Sequence, residues 1–134
     1  MSPPVEGLTP YEAMGGEWAL RAVIHDFVEH VVDDAMIGFF FDGSDLHALK
    51  EREFEMTARF LGADIPYRGK GLRAAHMGRP IFGGQFDRRR QILLDAIRRH
   101  RVPEDVERIW MEHVDRLRSL ILDAARAPRN LPIV

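Results

Sequence analysis

The stretch LRAAHMGRPIFGGQFD, Leu72 to Asp87, decides how this chain is read. Leu72, Ala75 and His76 share one face of GKGLRAAHMG, a glycine-bounded segment long enough for a helix of about two turns. Ala74 and Ala75 leave room beside the imidazole for something bulky and flat. Gly78 releases the chain, and Pro80 leads it out toward the next helix. Read alone, His76 is either a histidine at the edge of a core or a ligand on an apolar wall. Its surroundings must decide.

Those surroundings belong to one domain. A chain of 134 residues is too short for two ordinary cores but long enough to bury roughly two-thirds of its unfolded surface. The balance of 46% hydrophobic and 30% charged residues is that of a soluble globular protein. A net charge of −2 gives no general pull toward nucleic acid or a membrane surface. The absence of cysteine excludes disulfides, thiolate metal sites, iron–sulfur clusters and cysteine catalysis, and fits a reducing cytoplasm. The longest apolar run, Met36 to Phe41, falls far short of the ~18 residues of a membrane span. No signal peptide is expected, because no basic start precedes an apolar block.

The organisation follows from periodicity. Residues 1–8 (MSPPVEGL) form a loose arm, residues 9–125 the domain and residues 126–134 an extended tail. Thr9 reads as an N-cap with Pro10 at the first helical position and Glu12 three residues on, a capping box. That short helix stops at Gly15-Gly16. From Glu17 to Asp33, Leu20, Val23, Ile24, Phe27, Val28, Val31 and Val32 recur in steps of three and four, the pattern of an amphipathic helix. A further helix runs from a cap at Ser44 or Asp45 to Leu61, where Gly62 and Pro66 stop it. Two long helices cover Gln85 to His100 and Glu104 to about Ala125, the second entered at Pro103. No segment alternates with period two. The fold class is all-α, with four long helices and short connectors.

Two positions break the apolar stripes. Between Asp45 and Leu61 the inward residues are Leu46, Leu49, Met56 or Thr57, and Phe60, and Glu53 falls in phase with them. A buried lone carboxylate is costly, so Glu53 either reaches water at the edge of the stripe or finds a partner. In the next long helix Phe86, Leu93 and Ile97 define the inner face, and the turn between them falls on Arg89 and Arg90. One of the two must approach the core. The remaining arginines of RRR and RRHR read as a solvated face; no aromatic interleaving suggests nucleic acid. Asp26/His30 and His25/Glu29 have the i, i+4 spacing of a metal chelate, which is also that of ordinary surface pairs. No phosphate-binding loop, dinucleotide fingerprint or nucleophile motif is present. A single neutral imidazole on an apolar wall is what a haem iron takes as its axial ligand, and the spacing of residues alone leaves the core-edge reading of His76 open beside it.

Taken in order, YEAMGGE, DFVEHVVDDAMIGFFF, the Lys50–Gly62 helix, PYRG, AHMGRPI, QFD and VPEDV resemble the group I truncated haemoglobins over Tyr11 to Asp123. The resemblance implies a truncated globin, a two-over-two helical sandwich around haem b, with His76 as the proximal metal ligand. Phe40 and Phe41 match phenylalanines that pack on the porphyrin, and Leu49 matches a distal residue above the iron. Lys50, Tyr67 and Arg79 match propionate contacts, since charge or a phenol can serve there. Val28, Leu72, Phe86 and Leu93 complete the lining. The distal side departs from the family: Val28 stands where a ligand-binding tyrosine is usual, Glu53 where a glutamine is frequent, and Arg89 where an apolar residue faces the haem. Glu53 and Arg89 are expected to pair there, which offsets the cost of burying either. The implied function is binding of diatomic ligands (O2, NO, CO). The alternative is a haem enzyme, peroxidase-like or oxidative tailoring, with Glu53 and Arg89 as catalytic residues moving protons. Expected partners are the gas ligand or a small-molecule oxidant and a reductase, without nucleic acid or membrane, the protein being a cytoplasmic monomer or homodimer.

Overall fold

The computed structural model describes residues 7–67 and 81–126, all helix and connector, with no strand among them. Thr9 begins the fold as its sequence implies. Its hydroxyl accepts the Glu12 amide at 3.1 Å and the Glu12 carboxylate accepts the Thr9 amide at 3.2 Å, closing a capping box around α1, Pro10–Ala13. Gly15 at φ 115° and Gly16 at φ 74° then turn the chain through left-handed conformations, which only glycine adopts without steric cost. α2, Gly16–Asp33, follows and buries Leu20, Val23, Ile24, Phe27, Val28 and Val31.

Asp34 stops α2. Its carboxylate accepts the amides of Met36 and Ile37 at 3.0 and 3.2 Å and bends the chain into a 3-10 turn, Gly38–Phe41. Of the two candidate caps for the next helix, Asp45 takes the role. It accepts the Ala48 amide at 3.2 Å and opens α3, Leu46–Phe60. Gly62 ends this helix at φ 105°, with Thr9 so close that an added Cβ would come within 2.7 Å of the Thr9 Cβ. The Tyr11 amide also donates to the Leu61 carbonyl at 2.9 Å, so α1 is tied to the end of α3.

α4, Gly83–Arg99, starts two residues earlier than the expected Gln85. The Gln85 side chain explains this: it accepts the Phe82 amide at 2.9 Å, capping a first turn that the weak helix formers Gly83 and Gly84 would not hold unaided. Its other end passes through Arg101 at φ 53°. α5, Glu104–Arg126, opens with Glu104, Asp105 and Glu107, carboxylates that complement the positive end of the helix dipole.

α2 packs on both α3 and α4, and α5 packs on α4 and α1. The result is two helical pairs laid over one another around a core that includes Leu20, Ile24, Leu61, Ile97 and Val106. Between α3 and α5 the rings of Phe60 and His113 stack 3.6 Å apart at 9°. None of the described helices is long and apolar enough to cross a membrane.

Candidate functional site

The short glycine-bounded helix and three expected site residues, Leu72, His76 and Arg79, lie outside the described residues. Those opposite them are described. Phe40, Phe41 and Leu49 are half-buried, packed against the core cluster on one side with part of their surface left uncovered. Phe39 stacks on Phe40 at 4.2 Å and is itself 55% exposed. Phe86 and Leu93 are buried in the core from α4, and Val28 is buried from α2, contributing no polar atom.

α3 presents two faces where the sequence pattern gave one. Phe54, Glu55, Thr57 and Ala58 form the buried face, while Leu46 is exposed and Leu49, Glu53, Met56 and Phe60 are half-buried. Of the stripe expected to point inward, Thr57 is buried and Leu49 and Phe60 pack against the core, while Leu46 is exposed and the centre of the buried face lies at Phe54, Glu55 and Ala58. The most buried acid of the helix is Glu55, which Arg52 meets from the same helix at 3.3 Å. Glu53 lies between core and solvent, its side chain 18% exposed.

Glu53 is not alone. Arg89 reaches it from α4, donating an N–H at 3.0 Å, and its own side chain is 28% exposed. The guanidinium also lies 4.8 Å above the ring of Phe27, a cation–π contact that holds one face dry. Sequence reasoning counted Phe27 only as core. The signal available was its place directly before Val28, one residue from where the distal donor is missing. Among the described residues no second acceptor meets the Arg89 guanidinium.

Two expected propionate contacts stand differently. The Lys50 ammonium donates to Glu29 at 3.0 Å and so is engaged on α2. Tyr67 is half-buried; burial raises its phenol pKa, and the Glu53 carboxylate pushes it further in the same direction. Tyr67 and Glu53 thus share one electrostatic neighbourhood.

The basic face of α4 is not simply solvated. Arg88 donates to Asp34 at 2.8 Å, Arg89 to Glu53 at 3.0 Å and Arg90 to Asp115 at 2.6 Å, so three successive arginines reach three different elements. At the far end Asp26 accepts two N–H bonds from Arg99 at 3.0 Å each and faces His30 at 2.7 Å and His100 at 2.9 Å. Burial pushes the Asp26 pKa up, but the hydrogen bonds from Arg99 and His100 outweigh it and hold the carboxyl below its ordinary value. The Asp26/His30 spacing is thus absorbed in an ion-pair hub. Among the described residues no cluster of metal-ligating side chains is found. A cleft of about 370 Å³ between α1, α2 and α3 is lined by Glu17 and Glu51, both already held by Arg21.

The described wall fits a haem. Its half-buried phenylalanines and leucine offer apolar surface to a flat ring, and its charge is confined to one pair whose members compensate each other. Such a wall offers burial to a flat apolar ring, and one turn on from Leu49 α3 carries an acceptor, Glu53, next to the donor Arg89.

Comparison with known proteins agrees. Residues 9–123 match the family described as bacterial-like globin. The chain is 33% identical to the group 1 truncated hemoglobin of Mycolicibacterium paratuberculosis over 95 residues, 71% of this chain and 70% of that protein. It is 32% identical to that of Synechocystis over 105 residues, 73% of this chain and 82% of the relative. The Fe(III) crystal structure of truncated hemoglobin from Tetrahymena pyriformis superposes with a TM-score of 0.79 at 25% identity, covering 86% of this chain and 98% of that one.

Proposed function

Because this chain belongs to the truncated haemoglobins of group I, we propose that it holds haem b through His76 and binds diatomic ligands (O2, NO or CO) in an atypical distal pocket. When bound, the haem would supply the iron chemistry that takes up such a ligand, with His76 as the residue that would hold it. The half-buried wall of Phe40, Phe41 and Leu49 carries the reading, since aromatic surface left partly uncovered beside a closed core has a flat apolar ring as its natural complement. Val28, Phe86 and Leu93 keep the surroundings apolar, which excludes water from the ring. Val28 offers no hydrogen bond from α2, so among the described residues the polar groups we assign to a ligand are Glu53 and Arg89. The guanidinium favours partial negative charge on a ligand, and the carboxylate opposes it.

The 3.0 Å contact between Glu53 and Arg89 favours a second reading, a haem enzyme acting on a small oxidant. There the carboxylate would accept and return a proton while the guanidinium stabilises developing negative charge. Either function draws electrons from a reductase and suits a cytoplasmic monomer or homodimer. The test is the visible spectrum of protein produced with haem available. A Soret band that is displaced or lost in His76→Ala supports the reading; a wild-type protein without that band, or a band indifferent to His76→Ala, overturns it. Peroxide turnover that is unchanged in Glu53→Gln and Arg89→Leu removes the second reading.

A further inference from the structure

We propose, resting on the haem reading above, that the Glu53–Arg89 pair makes the distal pocket selective for small weak acids HX, such as hydrogen cyanide, hydrogen sulfide or hydrogen peroxide, over ligands without a transferable proton. A carboxylate only accepts hydrogen bonds and a guanidinium only donates them. The two stand 3.0 Å apart on facing helices, and the neighbouring α2 position, Val28, provides neither function. A neutral diatomic ligand has no proton for the carboxylate and can use only the donor, competing with Glu53 for it. A molecule HX satisfies both, its hydrogen toward Glu53 and its X atom toward Arg89.

The step balances without a redox partner. The H–X bond breaks, its electron pair stays on X, and the proton passes to a Glu53 carboxylate oxygen, so Glu53–COO⁻ plus HX gives Glu53–COOH plus X⁻. Arg89 exchanges one anion for another, and the charge of this half-buried site is unchanged. That matters because uncovering a single charge there would be costly. Phe27 is the positioning residue: its ring beneath the guanidinium at 4.8 Å fixes the plane in which the N–H groups lie. Among the described residues the acceptor that meets Arg89 is Glu53, and X⁻ takes that acceptor's place in the proposed step. Glu53 keeps the proton because its cation now serves X⁻ and a second negative charge has arrived beside it. Among the described residues, the charged and titratable groups facing Glu53 are Arg89 from α4 and Tyr67 from the segment after α3.

The test uses ferric, haem-loaded protein with two probes, cyanide supplied as the neutral acid and imidazole, which binds without losing a proton. Stopped-flow spectra follow association, and an indicator dye in weak buffer counts protons. Glu53→Gln should slow cyanide association about 100-fold, as expected for loss of a positioned base, and leave imidazole within about threefold. Arg89→Leu should weaken cyanide about 10- to 100-fold, as expected for loss of a charge-assisted hydrogen bond. Wild type should release no proton on binding cyanide, and Glu53→Gln should release one per cyanide bound. Glu53→Ala rescued by formate serves where Glu53→Gln fails to fold. A normal Soret band with cyanide rates unchanged in the variants, equal slowing of cyanide and imidazole, or the same proton count in wild type and Glu53→Gln would overturn the proposal and leave the haem reading standing. A wild type without a Soret band overturns the haem reading itself.

Discussion

Replacing Glu53 and Arg89 singly and together by leucine isolates the energy of their contact. Breaking a fully buried pair costs about 3–5 kcal/mol and an exposed one at most about 1 kcal/mol. With side chains 18% and 28% exposed, this pair falls between those limits. We expect Glu53→Leu to cost about 1.5 kcal/mol, and Arg89→Leu about 2 kcal/mol because the contact with Phe27 is lost as well. The double variant leaves no unpaired charge and gains apolar volume, so it should lose only about 1.5 kcal/mol, a coupling near 2 kcal/mol. At about 4 °C per kcal/mol for a domain of this size, the melting points fall by about 6, 8 and 6 °C. Urea or thermal unfolding followed by far-ultraviolet circular dichroism reads this. Samples must be matched in haem content, because a bound cofactor raises apparent stability by mass action. A double variant that loses the sum of the two singles, about 14 °C, would refute the reasoning, since the residues would then contribute independently.

Other outcomes follow from the ion-pair hub, the stacked histidine and the glycines. The Asp26 pKa lies below its ordinary value of 3.8 when folded, so its contribution is complete above that pH and is lost as pH falls through the folded value. Asp26→Asn should cost about 1–2 kcal/mol near neutrality and converge with wild type in strong acid, as read by urea midpoints across pH. Burial, with Arg116 adding to it, lowers the pKa of His113 from 6.5. Stability should therefore decline as pH drops below that value, and His113→Phe should remove this part of the acid sensitivity while keeping the stack on Phe60. Gly62→Ala combines a left-handed backbone with a clash against Thr9, whereas Gly43 at φ 77° has open space around it. The first should cost about 2–3 kcal/mol and the second about 1 kcal/mol in thermal unfolding, and equal costs would show that the clash relaxes freely.

The legible parts of this fold are those fixed by local chemistry. The Thr9–Glu12 capping box, the glycine pair and the apolar face of α2 are each written within a few residues, and the structure has them where the sequence places them. α3 was harder because it has one face toward the core and another, half-buried, with Leu49 and Glu53. A periodic pattern reports apolar residues without saying which surface covers them, so Thr57, Leu49 and Phe60 are legible as core-facing while the burial of Phe54, Glu55 and Ala58 is not. The start of α4 depended on a side-chain cap from Gln85, which overrode the poor propensity of two glycines. Glu53 and Arg89 were legible as a pair only because each broke the pattern of its own helix. Phe27 broke no pattern, and its place under Arg89 follows from packing between helices.

The three arginines that open outward from α4 have one more consequence. Arg88, Arg89 and Arg90 leave the helix about 100° apart in succession, and each is anchored on a different neighbour: Asp34 beyond α2, Glu53 on α3 and Asp115 on α5. A rod lashed from three sides cannot roll about its axis without breaking a lashing. The azimuth of Arg89 is therefore set when the chain folds, so in the proposed pocket its donors would stand ready beforehand. Most of the reorganisation that a mobile arginine would undergo on the proposed binding is then completed during folding, and the outer two arginines are what hold the middle one in place.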